Sequence, residues 1–166
     1  MTTTAFHGTP VHLSGELPAV GDRLPGFTLT GTDLAEVTAE RFAGRALVLS
    51  IFPSIDTGVC AAAARRFNEI ADGRGDVTVL NVSRDLPFAL DRFCAAEGLD
   101  AVVSASDFRR GFGEAFGVVQ ADGPLAGLLA RAVVVADAEG VIRHVELVGE
   151  ITEEPDYDAA LAALDG

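Results

Sequence analysis

The run Ala46-Leu47-Val48-Leu49-Ser50-Ile51 leads straight into Phe52-Pro53-Ser54-Ile55-Asp56-Thr57-Gly58-Val59-Cys60, and this junction decides the fold. Residues 46–52 show almost no alternation of polar and apolar side chains. A strand of that kind is buried on both faces, as in the middle of a sheet carrying helices on each side. Pro53 ends the strand. From Gly58 the spacing changes to that of a helix, with Cys60, Ala63, Phe67, Ile70 and Ala71 on one face and Gly73 to Gly75 closing it.

The same alternation continues outward. Val77 to Val82 reads as a strand. Leu86, Leu90, Phe93 and Cys94 mark a second helix, with Pro87 in its first turn and Gly98 as its stop. Ala101 to Ser104 reads as a strand and Phe108 to Phe116 as a short helix, followed by a loop over 121–127. Ala132 to Ala136 and Val141 to Val148 pair through a turn at 137–140. Pro155 and the acids at 153–158 start a last helix, the acids at its positive end. On the amino-terminal side, residues 5–13 form a hairpin turning at Gly8 to Pro10, 17–27 form a surface connection, and Phe27 to Leu29 form a strand. The fold class is α/β, a mixed sheet flanked by helices with an amino-terminal hairpin. It is one domain over 1–166, with the site expected at the carboxyl ends of the strands.

Composition narrows the function. Among 166 residues, 49% are hydrophobic, which excludes disorder as the main state. No apolar run reaches the ~18 residues that span a bilayer. The cations are all arginine, 12 against 25 acids, and the net charge of −13 would repel a phosphate backbone. Neither a membrane nor a nucleic acid is therefore an expected partner. No Lys or Arg precedes an apolar core in residues 1–20, so a secretory leader is not expected and the cytoplasm is the expected compartment. Two cysteines are too few for a disulfide scaffold. His7, His12 and His144 lie at no metal-ligand spacing from either, so no metal or other cofactor is expected.

Cys60 is the first candidate. A thiol in the first turn of a helix meets unpaired N–H groups and the positive end of the helix dipole, and both favour the reactive thiolate. Thr57 stands three residues before it, giving T-x-x-C, and its hydroxyl could bond the sulfur or a bound oxygen. The spacing equally fits a threonine that only caps the helix and a cysteine that only fills space. Asp56 would oppose a thiolate if turned inward; it is expected to face solvent or pair with arginine. Cys94, 34 residues beyond Cys60, lies in no reactive local motif and by itself reads as a buried apolar residue. Arg131 opens an apolar strand, either at the protein's rim or aimed at an anion.

Pro53-x-x-x-Thr57-x-x-Cys60 resembles the active-site signature of the peroxiredoxins. Residues 52–60, Asp85 to Ala89, Arg92 to Cys94, Ala121 to Leu125, Ala130 to Val135 and Glu150 to Tyr157 are similar to the bacterial thiol peroxidases, atypical two-cysteine peroxiredoxins of thioredoxin-like fold. The resemblance implies a peroxidase that needs no metal or haem. In it Cys60 attacks the peroxide, Cys94 resolves the product within the same chain, Thr57 and Arg131 activate the peroxide, and Pro53 shields the thiolate from water. It also implies a homodimer, hydroperoxide substrates and re-reduction by thioredoxin. Asn81 stands where some relatives carry a third cysteine.

Two other readings compete. A dithiol–disulfide oxidoreductase would share the fold, but the C-x-x-C pair is missing. A redox sensor would use the same cysteines and would oxidise once per event rather than turn over.

Overall fold

The computed structural model describes residues 2–165. A hairpin of β1 (Thr3–Phe6) and β2 (Thr9–His12) forms a sheet of its own. The main sheet holds β3 (Thr28–Gly31), β4 (Glu36–Thr38), β5 (Ala46–Ile51), β6 (Val77–Ser83), β7 (Val103–Ser106), β8 (Ala132–Ala136) and β9 (Ile142–Leu147), in the order β4-β3-β7-β6-β5-β8-β9. Strands β5, β6 and β7 run parallel. The outer strands β8, β9, β3 and β4 join antiparallel, so the sheet is mixed. Helices α1 (Gly58–Asp72), α2 (Pro87–Glu97), α3 (Phe112–Phe116) and α4 (Tyr157–Asp165) flank it.

Strand β5 is central, as its unbroken apolar run requires, with β6 on one side and β8 on the other. Its alternate residues feed two cores. Leu47, Leu49 and Ile51 pack with Leu80, Val82, Phe112 and Phe116 on the α3 face. Val48 packs with Val79, Val133, Val135, Phe67 and Ile70 under α1 and α4. A third cluster, Phe52, Ile55, Cys60, Ala64, Leu90 and Leu99, joins α1 to α2, and the half-buried Phe93 and Cys94 pack against it.

Several boundaries differ from the sequence expectation, each for a local reason. The hairpin turns at His7–Gly8 rather than at Gly8 to Pro10, because both turn residues adopt positive φ (51° and 80°), the geometry a two-residue hairpin turn needs. Strand β7 lies two residues later than expected, where Val103 to Ser106 register against Leu80 to Ser83. Helix α3 starts at Phe112 instead of Phe108. The buried Asp107 carboxylate accepts the Phe112 and Gly113 N–H groups at 3.1 and 3.0 Å and so fixes the start there. Strand β4, only three residues long, had no sequence signal of its own.

Candidate active site

The site is assembled at the carboxyl end of β5. Phe52 still donates its N–H to Val82 O at 3.1 Å, and the buried Pro53 then ends the strand's pairing. The loop that follows is held by Asp85, two residues beyond the end of β6. Its carboxylate accepts the Ser54 hydroxyl at 2.7 Å, the Ile55 N–H at 2.8 Å and the Ser83 hydroxyl at 2.6 Å. The Ser106 hydroxyl bonds the Asp85 carbonyl, tying β7 to the same corner. Nothing in the sequence pattern singled out Asp85 as a site residue. The available signal was its position just past the carboxyl end of a buried strand.

Thr57 has extended backbone (φ −91°, ψ 146°) and caps α1. Its Oγ1 accepts the Cys60 N–H at 3.3 Å and donates to Ser54 O at 3.1 Å. One hydroxyl thus links the loop to the first helical turn, where Cys60 stands with no exposed surface. Thr57 and Gly58 are exposed, so the sulfur lies one layer beneath the surface at the helix start. Asp56 points outward, its carboxylate 3.8 Å from the Arg92 guanidinium, as expected of it.

Arg131 comes from the neighbouring strand. Antiparallel pairing of β5 with β8 sets Ile51 opposite Ala132, which brings the residue before β8 beside the residues after β5. Arg131 is only 3% exposed, so it is no rim residue. Its Nη2 donates to Cys60 Sγ at 3.1 Å and its Nε to Ile151 O at 2.9 Å. Nη1 is buried with no partner among the described residues. A cation fixed at this distance stabilises negative charge on the sulfur or on an oxygen bound to it, and the spare Nη1 donor is available to such an oxygen.

Cys94 lies on α2, at the edge of the cluster that contains Cys60, and both thiols are free. Its Sγ is 3.5 Å from Ser104 Oγ, which in turn accepts from Asn81 Nδ2 at 3.4 Å. Burial pushes the Cys94 thiol up; the Ser104 hydrogen bond works against that, and the charges of Asp91 and Asp100 add to it. Each cysteine therefore has a separate partner, Arg131 for Cys60 and Ser104 for Cys94. Among the described residues no three His, Cys, Asp or Glu side chains gather as a metal site, and no helix is long and apolar enough to cross a membrane.

Residues 19–161 match the redoxin family. Across 99% of both chains the protein is 56% identical to the thiol peroxidase of Corynebacterium glutamicum and 54% identical to that of Mycobacterium tuberculosis. The crystal structure of a peroxiredoxin-like protein from Aquifex aeolicus superposes with a TM-score of 0.91 at 42% identity, covering 98% of this chain and 95% of that one. The thiol peroxidase of Chromobacterium violaceum, 23% identical, shares the fold at a TM-score of 0.90 over 98% of this chain and 95% of that one. The fold is thus thioredoxin-like, in its peroxiredoxin form with an added amino-terminal hairpin. Identity of this size along the full length places the chain in the redoxin family and, within it, among the thiol peroxidases of the peroxiredoxin group.

Proposed function

We propose that the protein reduces hydrogen peroxide and organic hydroperoxides through Cys60 and Cys94, with thioredoxin as reductant. The observation that carries the reading is the Arg131 guanidinium, buried, 3.1 Å from Cys60 Sγ, with Nη1 unpaired among the described residues. The Cys60 thiolate attacks one oxygen of the peroxide. The O–O bond breaks, and the other oxygen leaves as water or alcohol after taking up a proton. Arg131 and the first-turn N–H groups of α1 hold the peroxide and the charge that develops on the departing oxygen. Pro53, buried before the loop, keeps water from the sulfur.

Cys60 is left as a sulfenic acid. The Cys94 sulfur attacks it, water departs, and an intramolecular Cys60–Cys94 disulfide remains. Each thiol has its own partner in the reduced chain, so closing the bond breaks both contacts, and on this reading it proceeds with local unwinding at the start of α1. Residues 58–64 are suited to it, since Gly58 is exposed with open space around it and Ala61 to Ala64 carry little bulk. Thioredoxin then supplies two electrons and two protons. Family membership supports the rest of the reading: one peroxiredoxin domain over 1–166, a homodimer, no metal or organic cofactor, and a cytoplasmic site of action.

The test is continuous peroxide consumption with thioredoxin and its reductase. Parent protein is expected to turn over many times and Cys60→Ser not at all, with its fold intact by circular dichroism. A single oxidation event without turnover identifies a sensor instead, and near-normal turnover by Cys60→Ser ends the assignment.

A further inference from the structure

Arg131 meets Cys60 at one end and is steered from the other. A guanidinium on a flexible stem takes the direction its other donors impose, and here the donor that sets direction is Nε, bound to Ile151 O at 2.9 Å in a buried position. The Arg131 backbone carbonyl also accepts the Val148 N–H, at 3.0 Å. Residues 148–152 belong to neither a helix nor a strand, and the one backbone bond that closes a turn among them runs from the Glu153 N–H to Glu150 O at 2.9 Å.

The amino-terminal hairpin holds this segment from outside. Buried Thr4 donates its hydroxyl to Val148 O at 2.7 Å, and the Ile151 N–H bonds Ala5 O at 2.8 Å. Between these two points stands Glu150, whose carboxylate accepts four hydrogen bonds. Two come from the consecutive N–H groups of the hairpin turn, His7 at 3.2 Å and Gly8 at 2.7 Å. Two come from Thr152, its N–H at 3.1 Å and its hydroxyl at 3.0 Å. Positive φ at both turn residues aims their N–H groups at one point, a small anion cradle that the carboxylate fills. Among the described residues the hairpin shares no ladder with the main sheet; these bonds tie it to the segment after β9, while His12 ties its second strand to Ala121 and Asp122.

We propose that the amino-terminal hairpin is a positioning device for Arg131, and that Glu150 is the positioning residue through which it acts. The inference rests on the reading of Arg131 as the group that activates peroxide at Cys60. The path is short: turn N–H groups to Glu150, the peptide after Glu150 to Ile151 O, Ile151 O to Nε, and Nη2 to the sulfur. The hydrogen bonds from Gly8 and Thr152 hold the Glu150 carboxyl down at about 2, so the clamp stays charged across the neutral range. A hairpin distant from the reacting atoms thereby sets where the guanidinium stands.

The test uses two full-length variants that disturb the hold at different points. Glu150→Gln presents an amide donor where the turn N–H groups converge. Thr4→Val keeps the buried shape and removes the bond to Val148 O. Two readouts are taken. The first is solvent exchange of the Arg131 Nε–H proton by nuclear magnetic resonance, its signal assigned by its loss in Arg131→Lys. The second is the rate at which one equivalent of hydrogen peroxide oxidises Cys60 in single turnover. Both variants are expected to speed the Nε–H exchange, and Glu150→Gln to slow Cys60 oxidation by about tenfold, below the roughly 100-fold that a full misplacement of a catalytic group can cost. Glu150→Asp is expected to restore part of the rate. In an Arg131→Lys background the Glu150→Gln effect is expected to vanish, since nothing remains to be positioned. Unchanged Nε–H exchange in both variants, or rate losses that add in full, overturn the inference. A parent chain that shows normal Nε–H protection but no peroxide reaction at Cys60 overturns the peroxidase reading, while the exchange data still decide whether Glu150 orders Arg131.

Discussion

At Arg131 one side chain spans from Ile151 O at 2.9 Å to Cys60 Sγ at 3.1 Å, a reach that needs a planar fork. Lysine has a single nitrogen and cannot serve both ends. Arg131→Lys is therefore expected to slow peroxide-driven oxidation of Cys60 by about 100-fold, the scale for losing one charge-stabilising donor. Stopped-flow thiol oxidation measures it, and parental rates would reduce Arg131 to a packing residue. Thr57, proposed with Arg131 to activate the peroxide, also serves the fold, because its hydroxyl both caps α1 and ties the loop at Ser54. Thr57→Val is expected to cost about 1 kcal/mol of stability as a lost cap, while Thr57→Ser keeps it; urea unfolding separates the two. Cys60 and Thr57 were legible because their chemistry is local, three residues apart at a helix start. From its own surroundings in the sequence Arg131 read as a choice between rim and anion site, the resemblance implied the second, and pairing across β5 and β8 puts it in a buried position beside Cys60. Asp85 and Glu150 were not legible as site residues. Their working partners lie 30 and 142 residues away in the chain, and an isolated acid in a sequence reads as surface.

Among the elements, the loop between β5 and α1 is the one on which the site depends. Asp85 satisfies two hydroxyls and one N–H there, and truncating it leaves those partly buried donors without an acceptor. Asp85→Ala is expected to cost roughly 1–3 kcal/mol and to lower peroxidase activity with it, read by thermal unfolding beside a turnover assay. Full activity in that variant would show that the loop needs no clamp. Helix α2 presents Cys94 and ends at Gly98, whose φ of 68° suits glycine. The start and stop of α2 were legible, since Pro87 and Gly98 are strong local signals. The starts of α3 and β7 were not, because Asp107 and the register against β6 set them. On the proposed route, closing a Cys60–Cys94 loop would restrict the unfolded chain by roughly 3–4 kcal/mol, and distorting α1 would consume part of that gain. The oxidised protein is expected to run as a monomer in denaturing gels without reductant. A disulfide between chains found by peptide mapping would contradict the intramolecular route.

Over the whole molecule, one of the ties between the hairpin and the segment after β9 is a carboxylate, which makes that tie sensitive to acid. Glu150 is held at about 2 against an ordinary 4.5, chiefly by the Gly8 and Thr152 N–H groups. A folded value below the unfolded one means that the contribution is complete above the unfolded value and is lost as pH falls through the folded one. The Glu150 contribution is therefore expected to fade between about 4.5 and about 2. Salt bridges and backbone bonds also lower Glu97, Asp122 and Asp137. Acid meanwhile relieves the repulsion within a chain of net charge −13, so total stability mixes opposing trends. The difference in melting temperature between parent and Glu150→Gln isolates the clamp. It is expected to be largest near neutral pH and to close as pH falls towards 2. A gap that does not change with pH would show that the carboxylate's charge is not what makes this tie.

The central claim is that Cys60 is the sulfur that meets the peroxide. One equivalent of hydrogen peroxide added to Cys94→Ser protein, followed by intact mass and peptide mapping, tests it most directly, because no partner thiol in the same chain can then erase the product. A single added oxygen on Cys60, trappable as a sulfenic acid, is the expected result. An unmodified Cys60 with peroxide unconsumed, or oxygen found elsewhere in the chain, would contradict it.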